Sequence, residues 1–313
     1  MKRFDPARLH GMHAATIAPM TADFALDEAA LARHIRDVAQ TQGIAGLLVN
    51  GHAGENFVLS QAEKRRVVEI ARAVAPRDCV ICSGVNAESS LVAAEDARAA
   101  EAAGADILLL FPPNSFALSH DAQAAAIHQR HVLAATGLPL LLYGAPVGAG
   151  AMAYDAATLA TLAAEPRVVG VKEGSWEVAT YEANRRLLKS LRPDFVVLGS
   201  GDEHLLTSAI IGSEGSQVSL AAVAPRLCAD FHVATAAGDW IAARDLHERI
   251  YPLAAAIYRA APGGRATARL KACLTLLGKL DAPIVRPPQP PVTDAEWSSL
   301  RAALVAAGFA PVA

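Results

Sequence analysis

Eight short apolar runs, separated by longer Ala-rich segments, constrain this chain more than any other feature. They are Ala14 to Pro19, Ile44 to Asn50, Val80 to Val85, Ile107 to Phe111, Leu138 to Tyr143, Val168 to Lys172, Phe195 to Gly199 and Gly215 to Leu220. None alternates polar with apolar residues, so each would be buried on both faces, which implies a parallel sheet covered by helices. The segments between them look helical by apolar spacing and by their caps. Asp27 precedes Glu28 and Leu31, Ser60 is followed three residues later by Glu63 as in a capping box, and Asp155 opens Ala156 to Ala163. Eight strand-helix units in about 230 residues predict an α/β fold of the (β/α)8 TIM barrel type, whose usual size is about 250 residues. A doubly wound open sheet is the alternative. Its nucleotide-binding form expects a Gly-x-Gly-x-x-Gly turn after an early strand, and no such turn follows the first or second run.

After Gly238 the alternation stops. Asp239 to Ala260, Arg265 to Gly278 and Asp294 to Ala307 read as three helices, with the Pro-rich linker Pro283 to Pro291 before the last. The chain thus divides into a barrel over residues 1–237 that carries the active site and a C-terminal all-helical appendage over 238–313. A hydrophobic fraction of 53% with only 5% aromatic residues builds the core from Ala, Val, Leu and Ile. A net charge of -3 gives no electrostatic case for nucleic acid or an acidic membrane, which leaves a small molecule as the expected partner. No run reaches the roughly 18 apolar residues of a membrane span. The start, Met1-Lys2-Arg3-Phe4-Asp5-Pro6, has no apolar stretch behind its basic residues, so a cytoplasmic protein is expected. Cys79, Cys82, Cys228 and Cys273 are too few for a disulfide framework. Cys79 and Cys82, three apart on a strand, point to opposite faces and read as buried structural thiols.

In such a barrel the active site lies where strands end and the following loops begin. Lys172 ends the run Val168-Val169-Gly170-Val171, where burial disfavours its charged form, lowers its pKa and frees the amine to attack a carbonyl. That is what a Schiff-base lysine requires; a solvated lysine at a strand end is the alternative. Tyr143 ends the preceding run in the same way. By parity Lys172 shares a strand face with Gly170 and Val168, and Tyr143 with Leu141. If both faces point inward, the phenol reaches the lysine's substrate and can pass protons to it. Gly51-His52-Ala53-Gly54-Glu55 follows the second run. Its glycines permit a tight turn whose amides suit a carboxylate, with Glu55 fixing the loop. Gly199-Ser200-Gly201-Asp202 falls at the same end. His128 and His131 lack a third ligand, so no metal site is expected.

These residues resemble the N-acetylneuraminate lyase and dihydrodipicolinate synthase family of Schiff-base (class I) aldolases. The motifs that carry the resemblance are Lys-Glu-Gly-Ser at Lys172, Tyr-x-x-Pro from Tyr143 to Pro146, Gly-x-x-Gly-Glu at Gly51, and Gly215-Ser216-Gln217-Val218-Ser219. The resemblance implies that Lys172 forms a Schiff base with pyruvate or the pyruvyl end of a 2-keto acid. It makes Tyr143 the proton-relaying phenol and the Gly51-His52-Ala53 loop the carboxylate site, and it places Gly201 and Gln217 along the pocket. It also implies a homo-oligomer, dimer or tetramer, working without metal or organic cofactor.

Three departures mark a divergent member. His52-Ala53 stands where the family usually has two hydroxyls. His52 titrates near neutral pH and either replaces the hydroxyl relay or turns to solvent or a carbonyl. Gly144 to Gly150 lacks the arginine that synthases use for the second substrate's carboxylate, and Phe111-Pro112-Pro113-Asn114 lacks the tyrosine they share across subunits. The sequence therefore predicts a lyase that cleaves or condenses a 2-keto acid at its pyruvyl end. The alternative is a 2-keto-3-deoxy sugar acid dehydratase using the same lysine. Dihydrodipicolinate synthase, disfavoured by the missing arginine, and a non-catalytic keto-acid binding protein rank third.

Overall fold

The computed structural model describes residues 4–312; Met1 to Arg3, the basic start of the segment read above for a leader, lie outside them. Eight strands close a parallel barrel in sequence order, which rules out the open sheet. They are β1 (Gly11–Ala15), β2 (Ile44–Val49), β3 (Val80–Val85), β4 (Ile107–Leu110), β5 (Leu140–Gly144), β6 (Val168–Glu173), β7 (Val196–Gly199) and β8 (Gly215–Val218). The helices between them start where their caps say. Asp27 accepts the Ala30 N–H at 2.9 Å, Asp155 accepts that of Thr158 at 2.8 Å, and Ser60 and Glu63 form the reciprocal capping box.

The unalternating runs are explained by two apolar layers. Leu47, Ile81, Leu108, Leu142 and Val197 pack outward against the helices, whereas Leu48, Cys82, Leu109, Leu141 and Leu198 pack on one another inside the barrel. All four cysteines are free and buried, with Cys82 in the inner layer and Cys79 in the outer.

Two expectations about the strands need correcting. The first strand is Gly11–Ala15, not Ala14 to Pro19. It is hidden because its middle residue, His13, is a completely buried histidine inside the barrel. Space for that ring exists because Gly46 faces it: a Cβ on Gly46 would lie 2.4 Å from His13 Nδ1. The second correction concerns β6. Leu140 pairs with Val168 but Leu141 pairs with Gly170, so Val169 is an extra residue and the strand bulges there. Val168 consequently belongs to the outer layer and does not share the face of Lys172. Beyond the bulge, Gly170 and Lys172 are paired with the inward residues Leu141 and Tyr143.

The C-terminal helices Trp240–Tyr258, Ala266–Leu276 and Asp294–Ala306 lie within two residues of their predicted bounds. They pack over the C-terminal end of the barrel. Lys271 pairs with Glu55, Arg286 with Glu63, and Thr267 Oγ1 donates to the His52 carbonyl at 3.3 Å. Among the described residues no helix is long and apolar enough to cross a membrane.

Candidate active site

A cavity of about 560 Å³ opens at the C-terminal ends of the strands, between the barrel and the appendage. Lys172 lines it, partly buried and in register with Tyr143 on β5 and Leu198 on β7. The Lys172 ammonium lies 6.0 Å from the centroid of the Tyr143 ring. Burial pulls the Lys172 pKa down to about 8, against the opposing pull of Asp202 and Cys82. A sizeable fraction of the amine is thus neutral near pH 7 to 8, the form that attacks a carbonyl. Tyr143 is buried, and its phenol is pushed well above its ordinary pKa by desolvation and then by the charge of Glu173. It is a neutral hydroxyl at working pH.

The loop after β2 is set by Asn50, whose left-handed φ of 54° is tolerated because Asn visits that region. Its amide donates to the Lys64 carbonyl at 2.9 Å and to Ser83 Oγ at 3.1 Å, which locks the turn to the barrel wall. The turn's own bonds consume the N–H groups of Gly54, Glu55 and Asn56. The amides of His52 and Ala53 make no bond within the turn, and both residues line the cavity.

His52 differs from the expectation of a near-neutral titrating group. Its ring is stacked between Phe57 and Phe111, with centroids 4.7 Å and 4.5 Å away, and meets the edge of Tyr143 at 5.2 Å. Burial, and then the charge of Lys172, pull its pKa down to about 3. The imidazole is therefore neutral throughout the physiological range, and it lines the cavity against the edge of the phenol.

Gly51, Gly201 and Gln217 are absent from the cavity's lining. Gly51 turns its face to Leu48, which a Cβ would meet at 3.0 Å. Gly201 takes a φ of 112° that only glycine adopts easily, and its neighbours Ser200 and Asp202 line the wall instead. Gln217 pairs with His13 and is completely buried deeper in the barrel, beside Cys82. His128, singled out with His131, is buried with its Nδ1 3.0 Å from Ser90 Oγ, and no group of metal-ligating residues occurs among the described residues.

Several lining residues carry no signal in the sequence. Trp176, Tyr258, Thr267, Leu270 and Gln289 reach the cavity from the loop after β6 and from the appendage. Asp202 sits at a legible place, just after β7, but its chemistry is visible only in the fold. It is buried, and that burial raises its pKa to about 6. Arg286 also lines the cavity, yet its guanidinium is spent on the Phe24 and Val58 carbonyls, each at 2.8 Å, and on Glu63.

The chain matches the dihydrodipicolinate synthetase family over residues 8–307. It is 32% identical over 286 residues to the 4-hydroxy-tetrahydrodipicolinate synthase of Sphingopyxis alaskensis, covering 91% of this chain and 94% of that one. It is 33% identical over 302 residues to the enzyme of that name from Acidiphilium cryptum, covering 96% and 99%. Two solved structures share the whole fold at 26% identity. A dihydrodipicolinate synthase from Agrobacterium tumefaciens superposes with a TM-score of 0.86 over 97% of this chain and 100% of its own. A chloride-inhibited dihydrodipicolinate synthase from Acinetobacter baumannii, complexed with pyruvate, superposes with a TM-score of 0.84 over 96% and 99%. With its barrel, its inward lysine and this likeness along the whole chain, the protein belongs to the dihydrodipicolinate synthetase family and is a lyase of the class I aldolase type.

Proposed function

We propose that the protein is a Schiff-base-forming lyase that cleaves, or in reverse condenses, a 2-keto acid at its pyruvyl end. The observation that carries the reading is Lys172: an inward lysine in the cavity's lining, pulled by burial to a pKa of about 8 beside its register partner Tyr143. The Lys172 amine adds to the C2 carbonyl, and water leaves to give an iminium. The iminium draws electrons from the C3–C4 bond and the bond breaks. Tyr143 passes protons at the C2 oxygen, and the amides of His52 and Ala53 hold the carboxylate. The cavity is far larger than a three-carbon acid needs, which leaves room for a second reactant or a long tail. The family resemblance supports a homo-oligomer of two or four copies acting on a small molecule in the cytoplasm.

A second, finer reading is favoured by the relatives' names, and it is the one the sequence ranked third. Relatives about one-third identical along almost the whole chain are 4-hydroxy-tetrahydrodipicolinate synthases, and the Acinetobacter baumannii synthase was solved with pyruvate. These names support condensation of pyruvate with aspartate semialdehyde more than the missing arginine alone would allow. Borohydride reduction in the presence of pyruvate, followed by peptide mapping, tests the shared step: the adduct mass belongs on the peptide containing Lys172, and its absence there overturns both readings. Assay of the labelled activity with pyruvate and aspartate semialdehyde, against release of pyruvate from longer 2-keto acids, then separates them.

A further inference from the structure

The loop from Gly51 to Glu55 is held from outside the barrel. It makes one 3-10 turn, His52–Gly54, and closes on Glu55, whose φ of 58° places a non-glycine residue in the left-handed region. That conformation is costly for an L-residue and persists where the surroundings fix it. The C-terminal appendage does the fixing. Lys271 and the Arg286 N–H, the latter at 3.0 Å, hold the two carboxylate oxygens of Glu55, and the Arg286 guanidinium holds the Val58 carbonyl at 2.8 Å further along the chain. At the front of the loop stands Thr267, in the first turn of the helix Ala266–Leu276, 8% exposed and in the cavity's lining. Its Oγ1 donates to the His52 carbonyl at 3.3 Å, and the Glu55 N–H donates to the same carbonyl at 3.0 Å.

A carbonyl held on one side turns the amide that shares its peptide to the other. The peptide after His52 is planar and trans, so the His52 C=O and the Ala53 N–H point in opposite directions. With the carbonyl directed at the appendage, the Ala53 N–H faces away from it, and that N–H makes no bond within the turn. Resting on the lyase reading above, we infer that Thr267 is a positioning residue: its hydroxyl fixes the peptide between His52 and Ala53 and so aims the Ala53 N–H at the carboxylate of the Lys172-bound keto acid. The hydroxyl has a second effect. A hydrogen bond donated to the carbonyl oxygen polarises the peptide, which makes its N–H a stronger donor, as hydrogen bonds in series strengthen one another. The appendage thereby takes part in the working site through a group that acts on the loop and leaves the reacting atoms to Lys172 and Tyr143.

The test uses the full chain, with pyruvate as the probe, borohydride to trap it and the mass of the Lys172 peptide as the readout across a series of pyruvate concentrations. Thr267→Val removes the hydroxyl and keeps the shape. It should raise the half-saturating pyruvate concentration by roughly 3- to 10-fold, the worth of about one neutral hydrogen bond, while the plateau of labelling stays as in the wild type. Thr267→Ser keeps the hydroxyl and should recover most of that rise, which a role in packing alone would not produce. Should Thr267→Val fold poorly, Thr267→Ala removes the same hydroxyl without the branched side chain and should show the same rise. Unchanged half-saturation in the variants that lack the hydroxyl would overturn the inference. A rise in Thr267→Ser as large as in Thr267→Val would do so too, by making Thr267 a packing group, and so would a lowered plateau with half-saturation intact, which would place the effect on Lys172. Wild-type protein that carries no label on Lys172 would instead overturn the lyase reading on which the inference rests.

Discussion

Lys271 and Glu55 form an ion pair buried at the seam between the barrel and the C-terminal helices. Lys271 is completely buried and Glu55 nearly so. The ammonium also donates to the Ile284 carbonyl at 2.6 Å, and the second carboxylate oxygen accepts the Arg286 N–H. Taking both charges out of water offsets much of their attraction, whereas removing one leaves the other stranded. Lys271→Met alone should therefore cost about 3–5 kcal/mol in chemical denaturation. Pairing it with Glu55→Gln should restore most of that loss. Additive costs in the double-mutant cycle would show that the pair does not act as a unit.

His52 is predicted to act by packing. Its pKa of about 3 keeps it neutral from pH 5 to 8, so His52→Ala should leave the shape of the pH–rate profile over that window as it is in the wild type. The two stacked contacts, with Phe57 and Phe111, should appear as a loss of about 1–3 kcal/mol in stability. A near-neutral limb that disappears with the substitution would restore the proton-relay role.

The pair at the centre of the site is legible in the sequence because two consecutive apolar runs each end in a lone polar residue, Tyr143 and Lys172. Parity then aims both inward. Parity fails for Val168 because a bulge at Val169 leaves no trace in a string of valines. The first strand is obscured for a related reason. His13 reads as polar until the fold supplies the space above Gly46 that buries it. Asp202 is visible as a residue at the right end of the barrel. Its Oδ1 accepts the N–H of Leu220 and the hydroxyl of Tyr258, which is more than fifty positions away. The C-terminal helices are easily read as helices, but nothing in their periodicity says that Thr267, Leu270 and Gln289 complete the cavity wall.

The cavity should discriminate against a second carboxylate. Its lining contains two cations, Lys172 and Arg286, and Arg286 is already neutralised by Glu63. The outer walls are Phe57, Val58, Trp176, Leu270, Pro146 and Pro288. A tail carboxylate would be desolvated there without a partner, a loss of about 1–3 kcal/mol or roughly 10- to 100-fold. A panel of 2-keto acids should accordingly show higher kcat/KM for apolar, aromatic or hydroxylated tails than for tails ending in a carboxylate. High activity with pyruvate and aspartate semialdehyde would mean that Arg286 leaves Glu63 to meet the substrate, and Arg286→Met would then raise KM for the semialdehyde selectively.

Stability should fall as the solution is acidified from about pH 6.5 towards 4, above the range in which carboxylates usually control acid unfolding. His13, His34 and His128 are buried with pKa values pulled down to about 4, and His52 to about 3, in each case chiefly by desolvation. In the unfolded chain each takes up its proton near pH 6.5. Between those values the unfolded state binds more protons than the folded one, so stability rises with pH, by at most about 1.4 kcal/mol per unit for each histidine. Asp202 works in the opposite sense. Its folded pKa of about 6 lies above the unfolded value of 3.8, so its contribution is present below 3.8 and is lost as pH rises through 6. Burial raises Glu173 as well, but it also lowers His232 and His247, and two such carboxyls against six histidines leave the net slope positive. Urea midpoints measured from pH 7.5 down to 4.5 should decline steadily. His13→Phe, which keeps a ring opposite Gly46 but cannot titrate, should make the decline shallower. A flat profile would mean that the folded histidines take up protons as readily as those of the unfolded chain, and that desolvation does not hold them neutral.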